Sequence, residues 1–300
     1  MSLLSRPAVA RLVARGMQLL TARANKPPVE HFPELPRRTR EIAVPTRLGP
    51  ARAVLYLPEG AAAPPVHVNF HGGGFVLAMT ELDDPLCRFL AAEAGVAVLN
   101  VDYAVAPQHP FPAPVHQAFE IVRWAAEHGG EHGWDGTRLT VGGQSAGASL
   151  AAAAARQAFE RGEPRIALQV LHYPPLDLVT PGAEKHSPLA RPALRPWMSK
   201  VFDHCYVPRG QARDHPLLSP AAPADTADLT GIAPAVVITA EYDTLRAEGE
   251  RYARRLEALG ALAEHVLVPA ADHGYDVRDS RLARETYSTI AGHLAAAARA

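Results

Sequence analysis

Apolar runs of four to six residues alternate with longer amphipathic stretches through most of this chain. The short runs are Glu41–Val44, Arg52–Leu57, Val66–Phe70, Val96–Val101, Arg138–Val141, Ile166–Leu171, Pro234–Thr239 and Glu264–Val268. They are rich in Val, Leu and Ile, which suit a pleated, buried surface. Apolar residues recur at helical spacing in Leu86–Glu93, Pro114–His128, Ser145–Arg161, Arg246–Leu259 and Ser280–Ala298. The run Ser149 to Ala155 is mostly alanine, a strong helix former rather than a linker. Strands alternating with helices in this order predict an α/β fold with a mostly parallel central sheet and helices on both faces. There is no internal repeat.

Two stretches break the alternation. Between Pro174 and Pro223 the chain carries ten of its 28 prolines and no strand pattern. Proline is excluded from helix interiors and central strands, so this reads as an insert between two strands. Trp197, Met198, Val201, Phe202 and Tyr206 fall close to i, i+4 spacing within it, which predicts one short helix and an ordered lid. At the N-terminus, Val9, Leu12, Val13, Met17 and Leu20 also fall at helical spacing. Arg6, Arg11 and Arg15 interrupt them. A signal peptide needs an unbroken apolar core and a membrane span needs about 20 apolar residues. Neither is present, so the expectation is an amphipathic helix packed on the body, with no stable membrane insertion.

Composition narrows the function classes. The chain has 300 residues, 48% apolar and 20% charged, enough for one large α/β domain. Thirty basic against 31 acidic side chains leave a formal charge of −1, so nothing points to nucleic acid. The two cysteines, Cys87 and Cys205, cannot form a disulfide framework and have no zinc-like spacing. They fit a reduced, cytoplasmic protein with no metal. A homodimer is compatible with the sequence, which fixes no oligomeric state.

The chemistry gathers around Gly143-Gln144-Ser145-Ala146-Gly147, between a strand and a helix. Strand, Gly-x-Ser-x-Gly, helix is the pattern of a nucleophile elbow: a turn too tight for side chains beside the serine, with the hydroxyl at its apex. Alone the pattern is weak, because a serine before a helix is commonly an N-cap. A nucleophilic serine needs a base, and the base needs an acid to hold its tautomer; on such elbows acid and then base follow the serine. Asp243 falls where the strand ending at Thr239 passes into a loop, with Glu241 and Asp272 as rival acids. Of the 14 histidines, His273 follows the last strand in a Gly-containing loop. His265 lies in a strand, His293 lies on the terminal helix, and His172 precedes the acid. Upstream, His71-Gly72-Gly73-Gly74-Phe75 follows a strand, and its glycines let backbone N–H groups turn toward a substrate.

These blocks resemble the hormone-sensitive-lipase-like branch of the α/β-hydrolases, which includes many bacterial carboxylesterases. The resemblance rests on His71–Phe75, Asp102-Tyr103 through Ala106-Pro107, Phe111-Pro112-Ala113, the elbow, Ala240 to Arg246, and His273-Gly274-Tyr275. It implies Ser145 as nucleophile, Asp243 as acid, His273 as base, and the N–H groups of Gly73, Gly74 and Ala146 as the oxyanion hole. No cofactor is implied. It also implies a cap built from N-terminal helices, matching residues 1–40, and from an insert, matching 177–223. Residues 41–176 and 224–300 would then form the catalytic domain. Phe75, Trp197, Phe202 and Tyr206 are candidates for the pocket wall. Four positions that the family usually charges are neutral here, together with Val105 where it has Leu: Ala104 for Arg, Gln108 for Glu, Gln117 for an acidic residue and Gln144 for Asp. Their joint neutrality suggests one ion network exchanged as a unit.

The resulting expectation is a serine carboxylesterase acting on short- to medium-chain acyl esters. The same triad would also serve an amide, thioester or lactone. Receptors of this fold branch replace the catalytic histidine, which His273 retains here. A long-chain lipase would need a large apolar tunnel.

Overall fold

The computed structural model describes residues 6–23 and 31–299. All eight predicted strands are present: β1 Thr39–Val44, β2 Ala51–Tyr56, β3 Pro65–Phe70, β4 Ala97–Val101, β5 Asp135–Gln144, β6 Leu168–His172, β7 Ala235–Ala240 and β8 Leu262–Val268. They form one sheet in the order β1-β2-β4-β3-β5-β6-β7-β8. The strand β2 runs antiparallel to β1 and β4, and the rest are parallel. The strands β3, β4, β6 and β7 are buried along their whole length, as a sheet covered on both faces requires.

The helices are α1 Pro7–Arg23, α2 Asp84–Ala94, α3 Ala113–Glu127, the single turn α4 Gly129–His132, α5 Ala146–Arg161, α6 Pro196–Tyr206, α7 Arg246–Ala258 and α8 Ser280–Ala297. Successive strand residues face opposite sides, so each strand serves two cores. Ala97, Leu99 and Val101 pack with Ile121, Leu150 and Leu256 of α3, α5 and α7. Val98, Val236 and Ile238 pack with Phe89, Ile290 and Leu294 of α2 and α8. The registers Phe70↔Gly143, Gln144↔His172 and Ala240↔Val268 bring the C-terminal ends of β3, β5, β6, β7 and β8 to one edge. Every loop that carries candidate chemistry leaves from that edge, where ligands bind in open α/β sheets.

The helix α1 lies against α6 of the proline-rich insert. Its buried face is Ala10 and Ala14, with Val13 and Met17 at the border. Leu12 and Leu20, expected on the packed face, point outward at 72% and 67% exposure. At about 100° per residue, Leu12 lies opposite the Ala10 and Ala14 face, and Leu20 lies about 100° around the helix from it. Residues 1–5 and 24–30 of the expected N-terminal segment lie outside the described residues. No described helix is long and apolar enough to cross a membrane.

Candidate active site

The elbow forms because its glycines leave room for it. A Cβ on Gly143 would lie 2.3 Å from the Phe70 carbonyl oxygen, and one on Gly147 would lie 1.8 Å from the same atom. Ser145 itself takes φ 52°, ψ −120° and caps α5. That conformation is strained for a side-chain-bearing residue and survives only where the surroundings fix it. The Ser145 N–H donates to the His172 carbonyl at 2.9 Å, and Ser149 Oγ donates to the Pro175 carbonyl at 2.6 Å.

Ser145, His273 and Asp243 meet across the strand ends. Ser145 Oγ lies 2.9 Å from His273 Nε2, and His273 Nδ1 lies 2.7 Å from Asp243 Oδ2. Asp243 is buried, and its other oxygen accepts the Leu245 N–H at 3.0 Å, which fixes the carboxylate plane. Burial works against a charge on His273. Asp243 outweighs it, with Asp272 and Asp276 adding, so the imidazole protonates above its usual range. The rival acids are occupied elsewhere. Glu241 accepts the Ala270 N–H at 2.7 Å. Asp272 accepts the His273 N–H at 2.7 Å and the Ala193 N–H of the insert at 2.6 Å. The other histidines bond to Tyr275 (His172), Thr239 (His265) and Glu264 (His293). Burial pushes His172 down to about 4, so that ring is neutral.

The glycine loop beside the serine is held from below. Its first residue, His71, stacks on Tyr103 with ring centroids 4.3 Å apart, and the Tyr103 hydroxyl donates to the His71 carbonyl at 3.0 Å. Gly73 and Gly74 take φ of +126° and +61°. The N–H groups of Gly73, Gly74 and Ala146 donate to no group among the described residues. They are free to receive a developing negative charge.

A cavity of about 60 Å³ opens beside Ser145. Phe75, Phe202 and Tyr206 line it as expected, and Phe75 stacks on Tyr206 with centroids 3.9 Å apart. Trp197 does not line it and is 44% exposed. At about 100° per residue, Trp197 lies about 140° around α6 from Phe202 and opposite Tyr206. It shares the face of Val201 and Cys205, which belong to the same core cluster as Ala10 and Ala14 of α1. Sequence reasoning did not anticipate Leu178, Leu194, Lys185, Ser199 and Asp203 in the cavity wall. They sit in proline-rich loops and on α6, with no periodic signal; only the phase of α6 relative to Phe202 could have found Ser199 and excluded Trp197. Among the described residues no cluster of side chains could hold a metal ion.

A family model described as alpha/beta hydrolase fold matches residues 67–277, which hold the glycine loop, the elbow, Asp243 and His273. The chain belongs to the α/β-hydrolases, in their hormone-sensitive-lipase-like branch. Carboxylesterase NlhH of Mycobacterium tuberculosis is 35% identical to it over 266 residues, 87% of this chain and 83% of that protein. An ethyl acetate hydrolase of Pseudomonas putida is 33% identical over 246 residues, covering 78% of this chain and 74% of that one. Among solved structures, an esterase of Pyrobaculum calidifontis superimposes with a TM-score of 0.81 at 34% identity, covering 98% of this chain and 94% of that one. A thermostable carboxylesterase from a metagenomic library gives 0.82 at 31% identity, with 99% of each chain covered.

The departures from the family pattern do not form one network. Gln144 donates to Asp276, whose buried carboxylate also accepts the hydroxyls of Tyr173 and Tyr287, each at 2.8 Å. Gln117 accepts the Ala104 N–H at 2.7 Å and donates to Thr46. Gln108 exchanges hydrogen bonds with Gln18 of α1. These are three separate neighbourhoods, each satisfied by neutral amides, so the expectation of a single exchanged ion network fails. At Gln144 the reason is local: an aspartate there would face Asp276.

Proposed function

We propose that this protein is a serine carboxylesterase for small acyl esters. The observation that carries the reading is the relay from Asp243 through His273 to Ser145, at 2.7 and 2.9 Å, opening on a cavity beside unengaged backbone donors. The esterase relatives agree with it. Ser145 Oγ attacks the ester carbonyl carbon while His273 Nε2 takes its proton. The carbonyl oxygen becomes an oxyanion received by the Gly73, Gly74 and Ala146 N–H groups. The C–O bond then breaks, and His273 returns the proton to the departing alcohol, leaving an acyl-enzyme on Ser145. Water, deprotonated by His273, attacks the acyl carbon, and Ser145 leaves as the free hydroxyl. Asp243 keeps Nδ1 protonated throughout and stabilises the imidazolium.

The cavity supports a short acyl arm. Its 60 Å³ is less than half of the roughly 150 Å³ that admits benzene in a protein core. Residues 177–223 and α1 would act as the cap, with 41–176 and 224–300 as the catalytic domain. Two free, buried cysteines accord with a cytoplasmic setting. A panel of chromogenic esters of rising acyl length, with one amide and one thioester, tests the reading. Turnover should be highest for the short esters, and an organophosphonate should add once, at Ser145. Labelling at a different serine, or faster turnover of the amide, would overturn it.

A further inference from the structure

The cavity beside Ser145 is lined by Gly74, Phe75, Phe202 and Tyr206, and its wall also carries polar groups from Lys185, Ser199 and Asp203. Lys185 comes from the loop after β6, and Ser199 and Asp203 come from α6. The two parts are in close contact: a Cβ on Gly182 would lie 2.5 Å from the Ser199 Cβ. A narrow pocket for a plain alkyl arm has no need of a lysine, a serine and an aspartate in its wall.

Their charges are already balanced. Lys185 Nζ pairs with Glu248 at 2.6 Å and donates to the Asp177 carbonyl at 2.7 Å. An ammonium has three donors, so one remains. Asp203 Oδ2 accepts from Arg213 at 3.2 Å, while Oδ1 has no partner among the described residues. Ser199 Oγ also has none. The Lys185 side chain is only 9% exposed, so bulk water does little to satisfy it. The wall therefore offers a donor, an acceptor and a hydroxyl, with no net charge.

We propose that these groups recognise a neutral hydroxyl on the arm of the ester that enters the cavity, making the substrate class short hydroxylated esters. A hydroxyl both donates and accepts, so Asp203 Oδ1, Ser199 Oγ and the spare Lys185 hydrogen can all be used. A carboxylate in the cavity would meet the negative charge of Asp203 in its wall, and an ammonium the positive charge of Lys185. A methyl group in the same place would cover polar groups without replacing their hydrogen bonds, and sites of that kind reject the analogue that lacks the hydroxyl. This rests on the esterase reading above and adds the substrate class to it.

The test compares isosteric pairs that exchange hydroxyl for methyl. On the acyl side, ethyl β-hydroxybutyrate is set against ethyl isovalerate; on the alcohol side, β-hydroxypropyl acetate is set against isobutyl acetate. The hydroxyl member of one pair should be preferred in kcat/KM by at least about tenfold, and the pair that shows it identifies the arm in the cavity. Ser199→Ala, and the double variant Lys185→Met with Glu248→Gln, should each bring that ratio toward one. The double variant removes both buried charges together; Ser199→Ala deletes a single oxygen and keeps the test valid if the double variant does not fold. Equal rates, or preference for the methyl member in both pairs, overturns the proposal and leaves the esterase reading intact. If no ester of either pair turns over and Ser145 resists organophosphonate, the esterase reading itself has failed.

Discussion

At Gly74 the glycine loop touches Phe202 of the insert, and replacing it with alanine has a calculable cost. A Cβ at Gly74 would lie 2.4 Å from Phe202 Cδ2 and 2.5 Å from Cε2, and the residue sits at φ +61°. The left-handed conformation costs an L-residue about 1–2 kcal/mol. Overpacking against the ring costs about 1–3 kcal/mol more. Together they make about 2–5 kcal/mol that the loop can relieve only by moving. A moved loop withdraws the Gly74 N–H, and loss of one such donor reduces kcat by about 10²–10³. Gly74→Ala should therefore lose that much kcat on a short ester, measured beside its thermal unfolding. Adding Phe202→Ala removes the overpacking but not the φ strain. The cycle should show a favourable coupling of about 1–3 kcal/mol and partial recovery of kcat. Gly73→Ala is the control: its Cβ would lie 2.3 Å from the Leu77 carbonyl oxygen, which is backbone, so Phe202→Ala should not rescue it. Strict additivity of Gly74→Ala and Phe202→Ala would refute the contact, and wild-type kcat in Gly74→Ala would refute the role of the loop.

Ser145→Ala should fold normally and lose turnover by on the order of 10⁶, checked in a single-turnover assay with titrated enzyme. Asp243→Asn should lose about 10⁴, whereas Asp272→Asn should lose far less; the reverse order would mean the acid is misassigned. The proposed reaction needs neutral His273, and Asp243 holds its protonation above the usual imidazole range, so kcat/KM should rise with pH through a midpoint above about 6.5. Asp243→Asn should move that midpoint down, and an unmoved midpoint would assign the titration to another group. Gln144→Glu should set two buried carboxylates against each other at Asp276 and cost roughly 3–5 kcal/mol at neutral pH. One of them should then take up a proton, so the loss should shrink as the pH is lowered in urea unfolding; a loss independent of pH would point to packing instead.

Much of this was legible because it depends on order along the chain. The buried strands read as continuous apolar runs, and each catalytic candidate follows one of them at the same sheet edge. Position along the chain singles out His273 and offers Asp243 beside two rival acids, the family resemblance points to Asp243, and His273 lies 2.7 Å from Asp243 and 2.9 Å from Ser145. What stayed hidden depends on which side of an element faces which neighbour. Trp197 and Phe202 look equivalent as aromatics, and only the phase of α6 separates them. Leu12 and Leu20 looked like packing residues because a helix period fixes a stripe but not its partner. The partner of Gln144 could not be read at all, since Asp276 is 132 residues away and nothing local marks it.

Asp272 has a consequence of its own. One carboxylate oxygen holds the backbone of His273, and the other holds Ala193 in the insert. The insert that walls the cavity and the loop that carries His273 are therefore tied through a single side chain. A displacement of the insert large enough to break the Ala193 bond would leave that carboxylate held only by the His273 N–H. The cavity wall and the backbone beside the Asp243–His273–Ser145 relay thus share one anchor, so a change in either can be felt by the other.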